Sequence, residues 1–348
     1  MPENARYRDG SDSLSRRAVS RRVFVSGATL VLAGGLLSAC GPRGEERHAP
    51  LRTTANKGDD STYMAQAGLG ETPYRVENVT LPQASAALEA LSAGGYDFGL
   101  SSNISIAFLS PDSPIRYGGF HPFDATVFKL YVHSGSAIRS PADLKGKRIG
   151  YMRGGPLHIW LLEILRTEGL TLSDVKAIPL SALDSIAAFS RGDLDAVLVG
   201  YVAPSWQAEQ AGGRVLVRGN AFPEFARING FSLAVHKDAL EKPEKLAQIA
   251  DYLKRLRGTW NWIDAHESEW AVEQAGLYGV PADFIPGNRP RPRNTVISGN
   301  DVGIANAKAV AKAFADAGVI PAVPDVASFF DPRVEALLPL DHNPLALA

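Results

Sequence analysis

Two stretches of this 348-residue chain echo one another at a fixed distance of 98 residues. Leu88, Leu91, Gly94, Asp97 and Leu100 in the first are matched by Ile186, Phe189, Gly192, Asp195 and Leu198 in the second. In each copy a helix ends at a glycine, the chain turns at an aspartate, and an apolar strand follows. Upstream, Asn56-Lys57-Gly58 leads into one helix at the same offset as Gly154-Gly155-Pro156 leads into another. An offset held over several elements marks a duplicated unit rather than two chance βα units. Strands alternating with helices predict parallel sheets with helices on both faces, so the duplication predicts two α/β lobes. Open α/β sheets bind ligands beyond the carboxyl ends of their strands. Four loops are therefore candidates for a shared cleft: 56–61, 100–105, 153–158 and 199–205.

Ahead of the lobes lies an address rather than a fold. Ser20-Arg21-Arg22-Val23-Phe24-Val25 is a twin-arginine pattern, followed by an apolar run over 24–37 and then Leu37-Ser38-Ala39-Cys40. A basic region, a short apolar region and small residues before a cysteine read as an export signal over 1–39. The run is short and glycine-containing for a membrane span. An N-terminal membrane anchor with an incidental cysteine is the alternative, and the order of the two motifs argues against it. Leu37-Ser38-Ala39-Cys40 resembles the lipobox of bacterial lipoproteins, which implies cleavage before Cys40 and a lipidated Cys40 as a tether. Residues 40–50, rich in Gly, Pro and charge, read as the linker from lipid to fold.

Composition narrows the functions. Cys40 is the only cysteine, so the body holds no disulfide, cysteine zinc site or catalytic thiol. The chain has 36 basic and 37 acidic residues; the leader carries six and three of these, leaving 30 and 34 and a charge of −4. A mildly acidic body argues against nucleic acid as a partner. There is no Walker loop, no His-Glu-x-x-His and no Gly-x-Ser-x-Gly, and the seven histidines show no metal-ligand spacing. No cofactor, metal site or catalytic residue is expected from these motifs, and an enzyme stays open as an alternative.

Further elements can be placed. Ser140-Pro141-Ala142-Asp143 opens a short helix with a cap serine and an acid three residues on. Residues 147–151 read as a strand. Pro243 opens a long helix with Leu246, Ile249, Leu253, Leu256, Trp260 and Ile263 at helical spacing. Ala307, Val310, Ala311 and Phe314 form another stripe, stopped by Gly318. These late helices need a partner surface, and the first lobe is the simplest one.

In the candidate cleft, loops entering helices offer free backbone N–H groups at Ser101, Ser102 and Asn103 and at Gly154, Gly155 and His158. Helix capping is the competing role for Ser101, Ser102 and Asn103. Gly58, Gly154 and Gly155 allow close backbone approach. Lys57 and Arg153 can balance an anion or simply be solvated, and His158, one turn into a helix, fits a satisfied structural role as well as a ligand contact. Tyr201 can wall the cleft; Trp206, Trp260, Trp262 and Trp270 read as packing residues. One of Arg289, Arg291 and Arg293 can reach the cleft, but spacing does not select which.

Ile138-Arg139-Ser140-Pro141-Ala142-Asp143-Leu144-Lys145-Gly146-Lys147-Arg148-Ile149-Gly150 resembles a stretch of bacterial ABC-transporter solute-binding proteins. The segments 153–165, 94–100, 191–197 and 308–321 are similar to the aliphatic-sulfonate, taurine and nitrate binding family. The resemblance covers about 50–330. It implies a two-lobed periplasmic-binding-protein type II fold with two hinge crossovers, near 128–133 and 231–236. Lobe 1 is then 50–128 with 237–330, lobe 2 is 129–236, and 331–348 is a C-terminal tail. It also implies a monomer on the extracytoplasmic face that binds a small organic anion and delivers it to an ABC permease and its ATPase. An enzyme on the same fold, desulfinase-like or pyrimidine-synthase-like, is the alternative, and so is a sensor presenting solute to a membrane receptor; the desulfinases rely on a cleft cysteine and the pyrimidine synthases on a cysteine-rich motif, and this body lacks both. The chain departs from the family at Ser101-Ser102-Asn103, where many sulfonate binders carry Gly-Asp, and at Gly200-Tyr201-Val202-Ala203-Pro204, where many carry Trp-Asp-Pro-Tyr. The missing aspartate makes a plain sulfonate the expected solute rather than taurine.

Overall fold

The computed structural model describes residues 49–55, 58–81, 84–288 and 297–339, and in them the chain builds two five-stranded sheets. The first sheet begins with β1 (Leu51–Thr54) and β2 (Val76–Val79), then helix α1 (Ala84–Ser92), β3 (Phe98–Ser102) and β4 (Ile115–Pro122). The second holds β5 (Lys129–His133), β6 (Arg148–Tyr151), β7 (Lys176–Pro179), β8 (Ala196–Val199) and β9 (Gly213–Arg218). Between its strands lie α2 (Pro156–Thr167), α3 (Ala182–Ser190) and α4 (Val202–Gln210). After α5 (Pro223–Ile228) the chain rejoins the first sheet as β10 (Gly230–His236). It then continues through α6 (Lys237–Leu240), α7 (Pro243–Ala265), α8 (Glu267–Tyr278), α9 (Asn300–Asp316) and α10 (Pro332–Glu335).

The strand orders are β2-β1-β3-β10-β4 and β7-β6-β8-β5-β9, the same pattern twice. In each sheet the fourth strand runs antiparallel to both neighbours and the other four are parallel. The sheets expected to be parallel are thus mixed, because β5 and β10 are the strands that follow each passage between the lobes. The pairs α1 and α3, β3 and β8, and β4 and β9 begin 98 residues apart, so the duplication extends to a strand beyond the matched residues. The chain passes from the first sheet to the second over 123–128 and returns over 219–229. The two stretches expected near the crossovers, 128–133 and 231–236, coincide with β5 and β10, the strands that directly follow the two passages. One half of the upstream echo weakens: Pro156 opens a full α-helix, whereas Gly58 leads only into a four-residue 3-10 turn, Asp60–Tyr63.

The duplicated aspartates explain why both copies fold alike. Asp97 accepts from the Arg52 backbone N–H (2.8 Å) and guanidinium (3.0 Å), and Asp195 accepts from the same groups of Arg148 (2.8 and 2.9 Å). Each arginine also donates to the glycine turn, at Gly95 or Gly192. Each aspartate therefore joins the turn after a helix to the first strand of its sheet.

Local signals elsewhere behave as their chemistry dictates. Ser140 and Asp143 form a capping box on the 3-10 turn Pro141–Leu144. Gly318, at φ 67°, follows the end of α9. The late helices pack back on the first sheet: Ile249, Leu253 and Leu256 of α7 join Leu51, Phe98 and Leu233 in one buried cluster. Ala307, Val310, Ala311 and Phe314 of α9 are buried with Ile104, Ile106 and Tyr117. Residues 331–338, expected to open a tail, instead dock on β4, with Val334 fully buried and Leu338 nearly so. Among the described residues no helix is long and apolar enough to cross a membrane.

Candidate functional site

A cavity of about 440 Å³ opens at the carboxyl end of β1, just past that of β8, and along the first three residues of β3. One wall comes from the first sheet: Thr53 and Thr54, the turn from Gly58 to Ser61, Phe98 to Leu100, and Phe231 at the start of β10. His121 and Phe123, at the end of β4, continue it toward the first crossing. The facing wall is the start of α4 in the second lobe, the N-cap Tyr201 and the first-turn residues Val202 to Pro204. Tyr252, Leu253, Leu256 and Trp260 of α7 and Tyr278 of α8 close the side. This is where two repeated open sheets are expected to receive a ligand.

The first-sheet wall is built to hold its shape. Gly58 sits at φ 82°, and a Cβ there would lie 2.8 Å from the Tyr278 hydroxyl, so a side chain fails on both strain and space. Buried Gln274 on α8 donates to the Gly58 carbonyl (3.1 Å) and to the Tyr63 hydroxyl (2.7 Å), tying the turn to the helix. Phe98 meets Tyr252 edge-on at 5.4 Å, His121 tilts against Trp260 at 5.1 Å, and Phe123 against Phe231 at 4.8 Å. Burial pushes the Tyr252 phenol upward, which keeps it neutral.

Of the residues expected to touch a solute, Gly58 and Tyr201 line this cavity. The others lie elsewhere. Ser102 caps the following 3-10 turn, accepting from Ile104 N–H. Asn103 is fully buried; it donates to the Ile228 carbonyl (2.8 Å) and accepts from Gly230 N–H (3.2 Å), which secures the return crossing. Ser101 pairs with Ser232 of β10 within the sheet. Arg153 is exposed, and a Cβ on Gly155 would meet nothing within 4 Å. His158 is buried, accepts from Gly154 N–H at Nδ1 (3.2 Å), and lies against Tyr151 and Phe314. Burial, with the nearby Arg153 charge, pushes it down to about 4, so it is neutral at pH 7.

The residues 101–105 and 153–158 do not line this cavity, whereas 58–61 and 201–204 do. Phe314 of α9 lies 5.0 Å from Phe108 and 5.1 Å from His158 by ring centroid. Lys57, Arg289, Arg291, Arg293 and Cys40, with the leader and most of the linker, lie outside the described residues.

Sequence reasoning missed two groups. Asp59 and Asp60 are among the residues that line the cavity. Their signal was position alone, directly after the Lys57-Gly58 turn. Trp260, read as packing, lines the cavity as well, because helical spacing does not distinguish a core from a cleft. Among the described residues no cluster of His, Cys, Asp or Glu could hold a metal ion.

Two sheets of like topology, joined by two passages and walling a cavity at their strand ends, define the two-lobed binding-protein class. Residues 59–258, more than half of the chain, match the family described as NMT1/THI5 like, and the chain belongs to it. The chain is 31% identical over 196 residues to a protein of Escherichia coli (strain K12) named for binding aliphatic sulfonates, covering 55% of this chain and 61% of that one. It is 28% identical over 156 residues to the taurine-binding periplasmic protein of the same strain, covering 43% and 48%. The chain thus spans about half to three-fifths of the length of these curated relatives. Among solved structures, the aliphatic sulphonate binding protein SsuA of E. coli superposes with a TM-score of 0.67 at 23% identity, covering 80% of this chain and 91% of that one. SsuA of Xanthomonas axonopodis pv. citri, bound to MOPS, gives 0.68 at 24%, covering 81% and 98%. The desulfurization enzyme DszB shares the fold at 0.58 and 14% identity, covering 83% and 98%.

Proposed function

We propose that this chain is the exported, lipid-anchored solute-binding component of an ABC importer, acting as a monomer. It takes a small organic solute of the sulfonate class into the interlobe cleft and hands it to the permease. The observation that supports this reading is the 440 Å³ cavity with one wall from each lobe, because closing two such walls on a solute couples binding to shape. The curated relatives named for aliphatic sulfonate and taurine binding support the solute class. Cys40 carries the anchor in this reading, and the twin-arginine leader carries the export.

The test is calorimetry on the chain from residue 41 onward with ethanesulfonate, taurine and nitrate, alongside Tyr201→Ala. Saturable binding weakened at least fivefold by the substitution, with the melting temperature of the free protein unchanged, supports the cleft as the site. Binding of equal strength in the variant would move the site elsewhere. For the anchor, mass spectrometry of the protein from its native host should find lipid on Cys40 and no residue before it; an intact leader around an unmodified Cys40 rejects the anchor.

A further inference from the structure

The walls of the cleft carry chemistry that a two-carbon solute does not use. Aromatic rings dominate the first-sheet and α7 surfaces, at Phe98, Phe123, Phe231, Tyr252 and Trp260, and Tyr201 faces them from the second lobe. Seven large hydrophobic residues are exposed among the described residues, and two of them, Leu100 (37% exposed) and Tyr201 (43%), line this one cavity from opposite lobes. A lone exposed apolar residue is ordinary, but two across a cavity leave apolar surface in water that a bound apolar body would cover. Leu100, Phe231, Leu253 and Trp260 also line a second, small apolar pocket of about 20 Å³, whose other walls are Gly118, Phe120, Ile297 and Leu338. The polar lining includes Thr53, Thr54 and Asp59 to Ser61 of the first sheet's loops, with His121 beside Trp260.

Size points the same way. Cavities of roughly 300–1,000 Å³ enclose molecules of drug size, and this one holds about 440 Å³.

We propose that the solute has a ring-bearing, largely apolar body, held between Tyr201 and the Phe231–Trp260 wall, with a single polar head directed to the side chains of Thr54 and Ser61. This deepens the solute-binding reading and rests on it. Aromatic faces and edges favour a flat ring in offset or edge contact over a flexible chain of the same area, because little rotamer freedom is lost on binding.

The experiment fixes the head and varies the body. Calorimetry on the chain from residue 41 onward uses ethanesulfonate, benzenesulfonate and naphthalene-2-sulfonate, and in parallel ethylamine, benzylamine and 2-naphthylmethylamine. In whichever head series binds, the naphthyl member is expected at least tenfold tighter than the two-carbon member. Leu100→Trp adds a ring at a rim position, so it fills the cleft without overpacking the core. It is expected to bring the naphthyl-to-ethyl ratio down toward one. Tyr201→Ala, on the opposite wall, is expected to lower the same ratio severalfold, so a folding failure of either variant leaves the other as readout. Affinity that stays flat or falls with ring size, while the two-carbon member binds, overturns the ring-bearing body and leaves solute binding standing. Silence of every probe in both series overturns both readings.

Discussion

Asp97 and Asp195 occupy equivalent turns and hold equivalent strands, but their surroundings differ. The Asp97 carboxylate is 7% exposed and also accepts from the Lys245 ammonium (2.9 Å), itself 5% exposed. The Asp195 carboxylate is 32% exposed and pairs with Arg148, 41% exposed. Breaking a buried pair leaves a charge without compensation, at roughly 3–5 kcal/mol, whereas an exposed pair contributes roughly 0–1 kcal/mol. Asp97→Asn is therefore expected to destabilise by about 3 kcal/mol or more and Asp195→Asn by about 1 kcal/mol or less, read from urea melts. Equal losses would mean that the turn geometry, and not the buried Lys245, sets the cost. Burial alone would raise the Asp97 carboxyl, but the Arg52 backbone N–H, Lys245 and the Arg52 guanidinium outweigh it and hold the group below its ordinary 3.8. The stability it contributes is complete above that ordinary value and is lost as pH falls through the lowered one. The wild type should thus lose stability more steeply below pH 4 than Asp97→Asn does.

At the scale of elements, the repeated units were legible because each is local: helix, glycine turn, aspartate and strand follow within a few residues, and the offset of 98 repeats that order. Strand direction was not legible, since an apolar run such as β5 or β10 reads the same whichever way it enters a sheet. The docking of residues 331–338 was not legible either, because its cause lies in β4. A Cβ on Gly118 would lie 2.6 Å from the Glu335 backbone nitrogen and 2.7 Å from the Val334 carbonyl carbon, so only a glycine lets α10 approach that strand. A Cβ on Gly150 of β6 would lie 2.5 Å from the Cδ1 methyl of Leu194, an atom that can move. Gly118→Ala is expected to cost about 2–3 kcal/mol, at the upper end for overpacking because backbone must yield, and to make the chain cleavable by protease around 332–338. Gly150→Ala is expected to cost less, about 1 kcal/mol. A protected 332–338 segment in Gly118→Ala would show that the strand, rather than α10, gives way.

Across the whole molecule, the second sheet is joined to the segment after α8 by contacts that the sequence did not suggest. Lys129 of β5, 2% exposed, donates to the Asn288 side-chain oxygen, and Glu209 of α4 lies 3.8 Å from its ammonium. Trp206 of α4 meets Phe284 edge-on at 5.1 Å. The second sheet and its helix are thereby fastened to the segment after α8, beside the cleft. Such contacts join residues 159 and 78 positions apart, and periodicity carries no trace of them. Burial, then the charge of Arg218, pushes Lys129 down to about 8, with Glu209 opposing. Between about 8 and its ordinary 10.5 the unfolded chain holds a proton that the folded chain has released, so this group makes stability rise with pH across that window. A lowering of this size corresponds to about 3 kcal/mol in all. Tyr131, whose hydroxyl donates to Glu209 (2.7 Å), is raised by burial and by that carboxylate, and the unfolded phenol ionises near 10, so its contribution falls above that value. Melts between pH 7 and 9.5 separate the two. Lys129→Met keeps the stem and removes the charge. The variant should lack the rise seen in the wild type and be at least as stable at pH 7, because replacing a buried charge by an apolar group of similar volume is often neutral or favourable. A wild type and a variant with parallel profiles over this range would place the ammonium in water rather than between β5 and Asn288.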